Sequence, residues 1–320
     1  DGVFAAATAL YGITFHARHD LCGFTPDSEV YEVREADGTP LGAVILDPFT
    51  RPTKRGGAWM TSIVDQSDLT GALPVVTNTC NFTRPAEGAA CLLTWDNVIT
   101  MFHEFGHALH GLLSEVRYPS RSGTAVPRDF VEFPSQVNEL WAWDETLISR
   151  FAVHHETGEP LPAGLVARLR ASRSAGEGHH TLELVAAMLL DQAWHTTVLE
   201  ELPTSVEELE SFEAAALERA GVANELVPPR YRSCYFSHVF GGGYAAAYYG
   251  YLWAEVMDAD ACAWFADNGG LCRSAGERFR RELLGRGGSI EPMQAWRNFR
   301  RADPDVSHLL RRKGLPVEQR

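Results

Sequence analysis

Apolar residues at Val98, Ile99, Phe102, Phe105, Leu109 and Leu112 recur at helical spacing, with Thr94 placed to cap the start. The pattern predicts a helix from Thr94 to Ser114. Val3 to Tyr11 reads as another helix. Between them the pattern alternates. Glu29 to Asp47 reads as two strands around Ala36-Asp37-Gly38, a hairpin signal, and Trp59 to Val64 and Leu73 to Asn78 read as further short strands. A loop rich in Pro, Ser, Gly and Thr follows from Arg117 to Arg128. Pro134 to His155 reads as a second helix with proline near its start. From Leu165 onward the pattern is almost all helical, broken at Gly176, Pro203, Gly221, Pro228 and Gly285 to Gly288. Ser205 and Glu208 are spaced as a capping box. The expected fold is mostly α (α+β), with one small sheet beside the Thr94–Ser114 helix. No repeat, low-complexity tract or linker divides residues 1–320, so a single domain is expected.

That helix carries His103-Glu104-Phe105-Gly106-His107. Positions i and i+4 of a helix lie nearly above one another, so the two imidazoles face the same way and can hold one zinc ion. Glu104, one position along, can take a proton from a water that the metal activates. The longer pattern with a glycine and a third histidine fails, because His110 and Leu113 stand at those places. A carboxylate further on must then be the third ligand. Glu132, set between Val131 and Phe133, is the candidate, and its other reading is a helix-start carboxylate facing the helix dipole. Zinc histidines are usually fixed by a carboxylate behind them. Glu139 is the first choice for that role and Asp129 the alternative.

A second constellation runs from Phe236-Ser237-His238 through Gly241-Gly242-Gly243-Tyr244 to Tyr251. Tyr244, Tyr248 and Tyr251 are spaced to share one helix face, a pattern that also suits a buried core. Three glycines permit close backbone approach or a hinge, which makes Gly242 a candidate substrate contact. Arg230 and Arg232 have the fork geometry to read a free carboxylate, and a surface position or a structural ion pair is the competing reading. The adjacent pairs His154-His155 and His179-His180 read as helical neighbours whose side chains diverge.

His103-Glu104-Phe105-Gly106-His107-Ala108-Leu109-His110 and Phe130-Val131-Glu132-Phe133-Pro134-Ser135-Gln136 together resemble the thimet oligopeptidase family of zinc peptidases. Leu10-Tyr11-Gly12-Ile13-Thr14-Phe15, Gly57-Ala58-Trp59-Met60, Cys80-Asn81-Phe82-Thr83 and Pro229-Arg230-Tyr231-Arg232-Ser233 extend the likeness, closest to its bacterial peptidyl-dipeptidase branch. The resemblance implies a zincin-type catalytic domain and one Zn²⁺ held by His103, His107 and Glu132. It implies Glu104 as general base, short peptides as substrates, and release of C-terminal dipeptides, with internal cleavage as the alternative. It makes His238, Tyr244 and Tyr251 substrate contacts that stabilise the oxyanion, and leaves Tyr248 as lining or packing. Residues Gly57 to Val64 become the edge strand expected to hold a peptide backbone. Family members are roughly twice as long, so the chain reads as their C-terminal catalytic half, with the N-terminal half as an expected partner. A fragment that binds zinc or peptide without catalysis is the competing reading.

Composition narrows the setting. A formal net charge of -14 and no basic cluster interleaved with aromatics argue against nucleic acid. Six cysteines without a C-x-x-C pair suggest buried free thiols in a reducing, cytoplasmic setting. No apolar run reaches membrane-spanning length, so no membrane partner is expected.

Overall fold

The computed structural model describes residues 1–317. Its contacts gather into two compact units. The first comprises Asp1–Ala167 with Ala254–Leu309, and the second Arg168–Trp253 with the chain from Leu310.

The first unit opens with helix α1 (Gly2–Tyr11) and a five-stranded mixed sheet: β1 (Thr14–Ala17), β2 (Glu29–Arg34), β3 (Pro40–Phe49), β4 (Trp59–Val64) and β5 (Val75–Phe82). The strand order is β1-β2-β3-β5-β4, with β3 and β5 parallel and the other pairs antiparallel. The expected turn at Asp37-Gly38 joins β2 to β3, with Gly38 at a φ of 87° and the Asp37 side chain accepting from the Thr39 N–H. β5 extends four residues beyond the expected Asn78. It is buried on both faces, so its run of buried residues lacks the alternation that marks a half-exposed strand. β4 lies at the sheet's edge with Ile63 half exposed.

Helix α2 (Trp95–Leu112) starts where expected. Thr94 and Asn97 cap it reciprocally, each side chain accepting from the other's backbone N–H. Its C-terminal half is buried all round. Two helical glycines make this possible. A Cβ on Gly111 would lie 2.6 Å from Met60 Cε and 2.8 Å from Val76 Cγ1, on the sheet side. A Cβ on Gly106 would lie 2.6 Å from Ser135 Cα, on the side of helix α3 (Arg128–Glu139).

Helix α3 corrects the expected Pro134–His155 helix. It begins six residues earlier, because Phe130, Val131 and Phe133 already supply its buried face, and Pro134 lies inside it. It stops at Glu139. A 3₁₀ turn follows, and Asp144 caps a separate helix α4 (Glu145–Phe151) by accepting from the Thr146 and Leu147 N–H groups. α5 (Ala163–Ala171) comes next, and α9 (Gly250–Asp267), α10 (Arg273–Glu282), α11 (Pro292–Arg300) and α12 (Ser307–Arg312) close the chain. Leu10, Phe105, Leu109, Phe133, Phe265, Phe279 and Trp296 are among the buried side chains of the first unit's core.

The second unit contains α6 (Glu177–Thr196), α7 (Val206–Arg219) and the short α8 (Ser237–Phe240). The capping box expected at Ser205 is displaced: the Glu208 carboxylate accepts from the Thr204 N–H and hydroxyl, and the Ser205 side chain makes no cap bond. The smaller core of this unit gathers Leu184, Met188, Phe236, Val239 and Tyr248. All six cysteines are free, as expected, but only Cys80 is buried: Cys262 and Cys272 are half-buried, and Cys22 and Cys91 in loops and Cys234 in a 3₁₀ turn are exposed. Among the described residues no helix is long and apolar enough to cross a membrane.

Candidate metal centre and tyrosine cluster

Two helices build the candidate metal site. α2 carries His103 and His107 one turn apart, their rings 5.0 Å apart and nearly perpendicular. α3 carries Glu132, whose Oε2 lies 3.1 Å from His103 Nε2 and 3.4 Å from His107 Nε2. The three ligand atoms lie within 4.8 Å of one another. Ligands bound tetrahedrally to one zinc ion lie about 3.3 Å apart, so these carboxylate–imidazole separations fit a single small cation. The donor set of two imidazoles and one carboxylate suits the same ion.

Glu139, two turns past Glu132 on α3, receives the other side of the first imidazole, with Nδ1 2.7 Å from its Oε1. Asp129 sits in the first turn of α3, and the bond to His103 comes from Glu139. Burial works against a charge on His103, but the Glu132 and Glu139 carboxylates outweigh it and hold its pKa well above the usual imidazole range. Burial likewise opposes the Glu132 charge, and His107 and His103 hold it well below the usual carboxylate range. The Glu132 carboxylate is thereby ionised and the His103 ring oriented by its second partner, and a cation binding there would displace the proton that the two carboxylates favour on that ring.

Glu104 is buried beside this group. Burial pushes its carboxyl up, against the pull of His103 and His107, and its Oε2 has no hydrogen-bond partner. A buried carboxylate oxygen without a partner is costly in a purely structural role, and a proton acceptor needs such an atom. His110 packs one turn on, buried and pushed down to about 3 chiefly by burial, so it is a neutral core residue.

Sequence reasoning missed two residues here. Gly106 reads as filler inside the histidine motif, yet it lets α3 approach closely enough for Glu132 to meet the imidazoles. Asn138, buried on α3, donates from Nδ2 to the Phe102 carbonyl at 2.7 Å and ties the two helices together. A glycine in a helix interior costs about 1 kcal/mol relative to alanine, and that cost was the available signal for Gly106. Asn138 carried none.

The second unit holds the tyrosines, and here the expected helix face is corrected. α9 starts only at Gly250, so Tyr244 and Tyr248 lie in turns before it. The rings meet nonetheless. Tyr244 and Tyr251 stack with centroids 5.2 Å apart, and the His238 ring lies 6.3 Å from Tyr244, 6.2 Å from Tyr251 and 4.8 Å from Tyr231. Tyr231 was not foreseen as part of this group. Tyr248 is buried and packs edge-on to Phe236 at 4.9 Å, which makes it a core residue of this unit, and burial pushes its phenol up. A Cβ on Gly242 would lie 2.9 Å from the His238 carbonyl oxygen, so this glycine allows the loop to fold back on α8.

Both arginines are in ion pairs. Arg230 meets Glu183 at 2.9 Å, and Arg232 pairs with the buried Glu213, which also accepts from the Ser233 N–H. The pair His154-His155 departs from expectation, because it lies in a turn after α4 rather than on a helix. Its rings stack at 5.1 Å, and with Glu156 the three could meet an ion at an exposed surface. Two backbone N–H groups already point at His154 Nδ1, which weakens that set as a ligand group.

The chain's likeness to known proteins runs through both units. It is 45% identical over 315 residues to the dipeptidyl carboxypeptidase of Salmonella typhimurium, covering 98% of this chain and 46% of that protein. It is 37% identical over 320 residues to oligopeptidase A of Escherichia coli, covering 98% and 46%. It is 32% identical over 284 residues to a thimet-like oligopeptidase of Dictyostelium discoideum, covering 86% and 41%. The chain thus spans just under half the length of these relatives. The model of peptidase family M3 matches residues 1–315, and the chain belongs to that family.

Proposed function

We propose that the chain carries the catalytic centre of a zinc-dependent peptidase that releases C-terminal dipeptides from short peptides. One observation carries the reading: His103, His107 and Glu132 converge at single-cation distances, and beside them lies the buried Glu104, whose Oε2 has no hydrogen-bond partner. These three side chains would hold one Zn²⁺, which when bound supplies Lewis acidity and lowers the pKa of a water toward ~7. Glu104 accepts a proton from the attacking water and passes it to the leaving amine. Glu139 keeps the His103 ring in its ligating tautomer. His238, Tyr244 and Tyr251 serve as substrate contacts, the phenols donating to the oxyanion that develops on the scissile carbonyl. Gly242 would meet a peptide only through its own backbone, since the space of its missing Cβ is taken by the His238 backbone. The exposed edge strand β4 offers backbone groups for a peptide to add as a further strand.

The greater identity to a dipeptidyl carboxypeptidase than to oligopeptidase A favours dipeptide release over internal cleavage. A free C-terminal carboxylate would be read by the guanidinium nitrogens of Arg230 or Arg232 that Glu183 and Glu213 leave over. The remainder of a longer protein, matching the other half of the relatives, is a proposed partner. The test uses zinc-loaded protein with two matched short peptides, one a free acid and one amidated, and mass spectrometry of the products. Loss of a dipeptide from the free acid alone is the expected result. Internal cuts in both peptides would establish oligopeptidase action instead. No cleavage of either peptide with zinc bound would overturn the reading for this chain by itself.

A further inference from the structure

Ala246 has a φ of 54°, in the left-handed region that a residue with a Cβ seldom adopts. It lies in the turn between Tyr244 and Tyr248. Two consecutive residues of α6 grip it from both sides. Asp191 Oδ1 accepts from the Ala246 N–H at 2.9 Å, and Oδ2 accepts from the Tyr248 N–H at 3.0 Å. Gln192 Nε2 donates to the Ala246 carbonyl at 2.9 Å. Asp191 is fully buried, and beside it lies His195, whose Nδ1 is 2.8 Å from the Asp191 carbonyl oxygen and 2.9 Å from Oδ1. A buried carboxylate is tolerated only when its acceptor sites are used, and this one spends two of them on alternate amides of one turn. The N-terminal end of the same turn is tied by the Tyr244 N–H donating to the His238 carbonyl at 2.9 Å. The disfavoured Ala246 conformation therefore persists because α6 over-determines it, and the Tyr244 and Tyr251 rings stack across the turn so formed.

We infer that Asp191 and Gln192 are positioning residues for turnover: by holding Ala246 in its left-handed turn they set where the Tyr244 and Tyr251 hydroxyls are presented. The inference rests on the proposed role of those two tyrosines. Asp191→Asn keeps the shape but replaces one acceptor by a donor facing an N–H. Gln192→Ala removes a single bond near the surface, where the fold tolerates its loss. In the zinc-loaded protein, hydrogen exchange at the Ala246 and Tyr248 amides should quicken in Asp191→Asn roughly tenfold, the usual worth of one such bond. The kcat for the free-acid peptide should fall by a similar factor while KM and zinc content hold. Gln192→Ala should shift both in the same direction by less, at an unchanged melting temperature. Unchanged exchange at both amides in both variants would overturn the clamp. Faster exchange with unchanged kcat would overturn the positioning role. A Tyr251→Phe control separates the causes: if it too keeps full kcat, the reading of the tyrosines has failed, and if it is impaired, the clamp alone has.

Discussion

The ligand group of the first unit and the tyrosine group of the second both bring polar side chains together inside apolar surroundings, but on different kinds of backbone. His103 and His107 sit on one regular helix, where a four-residue spacing is enough to align them. Tyr244, Tyr248 and Tyr251 have an equally good helical spacing and are not on a common helix, because the backbone from Gly241 to Tyr249 runs in turns pinned by Asp191 and Gln192. Periodicity reports a shared face only where the chain is free to be a helix. Three successive glycines before Tyr244 lower that freedom, and a buried carboxylate on another element then captures the backbone amides.

Substitutions can separate the two groups. The largest effect is expected for Glu104→Gln, which should keep zinc in full, by metal analysis, and lose about a thousandfold in kcat, within the range of general-base contributions. Substantial remaining activity would remove the base from Glu104 and leave the ligand group intact. Tyr251→Phe should cost about a hundredfold in kcat with zinc content and KM little changed, as for loss of one oxyanion donor. If kcat holds, the second group is packing alone and the likeness between the two regions ends there.

Gly106→Ala acts on helix approach rather than chemistry. Its Cβ would press on Ser135 and Asn138, so thermal or denaturant unfolding should show a loss of about 2 kcal/mol, with weaker zinc binding as α3 moves off. A stable variant with unaltered zinc affinity would contradict the close-packed origin of the site. Glu139→Gln is the mildest, with zinc affinity about tenfold weaker in a chelator competition because the His103 ring loses its charged partner. An unchanged affinity would reduce Glu139 to a surface neighbour.

Much of the candidate metal site could be read along the chain, since both histidines and Glu104 lie within about one helical turn and the Thr94 cap marks where that helix begins. Glu132 and Glu139 share a face of α3 at seven-residue spacing, but proline, which so often opens a helix, points to a start at Pro134, whereas the helix begins at Arg128. Strand β1 and the far end of β5 gave too short or too uniformly buried a pattern to stand out.

What the amino-acid sequence alone determined is local: a capped amphipathic helix, two imidazoles on one face of it, a carboxylate beside them, a hairpin turn at Asp37-Gly38. Each follows from interactions within a few residues, where the backbone leaves few alternatives. Which carboxylate faces which imidazole nitrogen, how closely α3 approaches Gly106, and which buried aspartate holds the Ala246 turn were decided only by tertiary structure. These depend on contacts between residues tens of positions apart, and the packing that selects among them is the sum of many small terms that no short stretch of the chain contains.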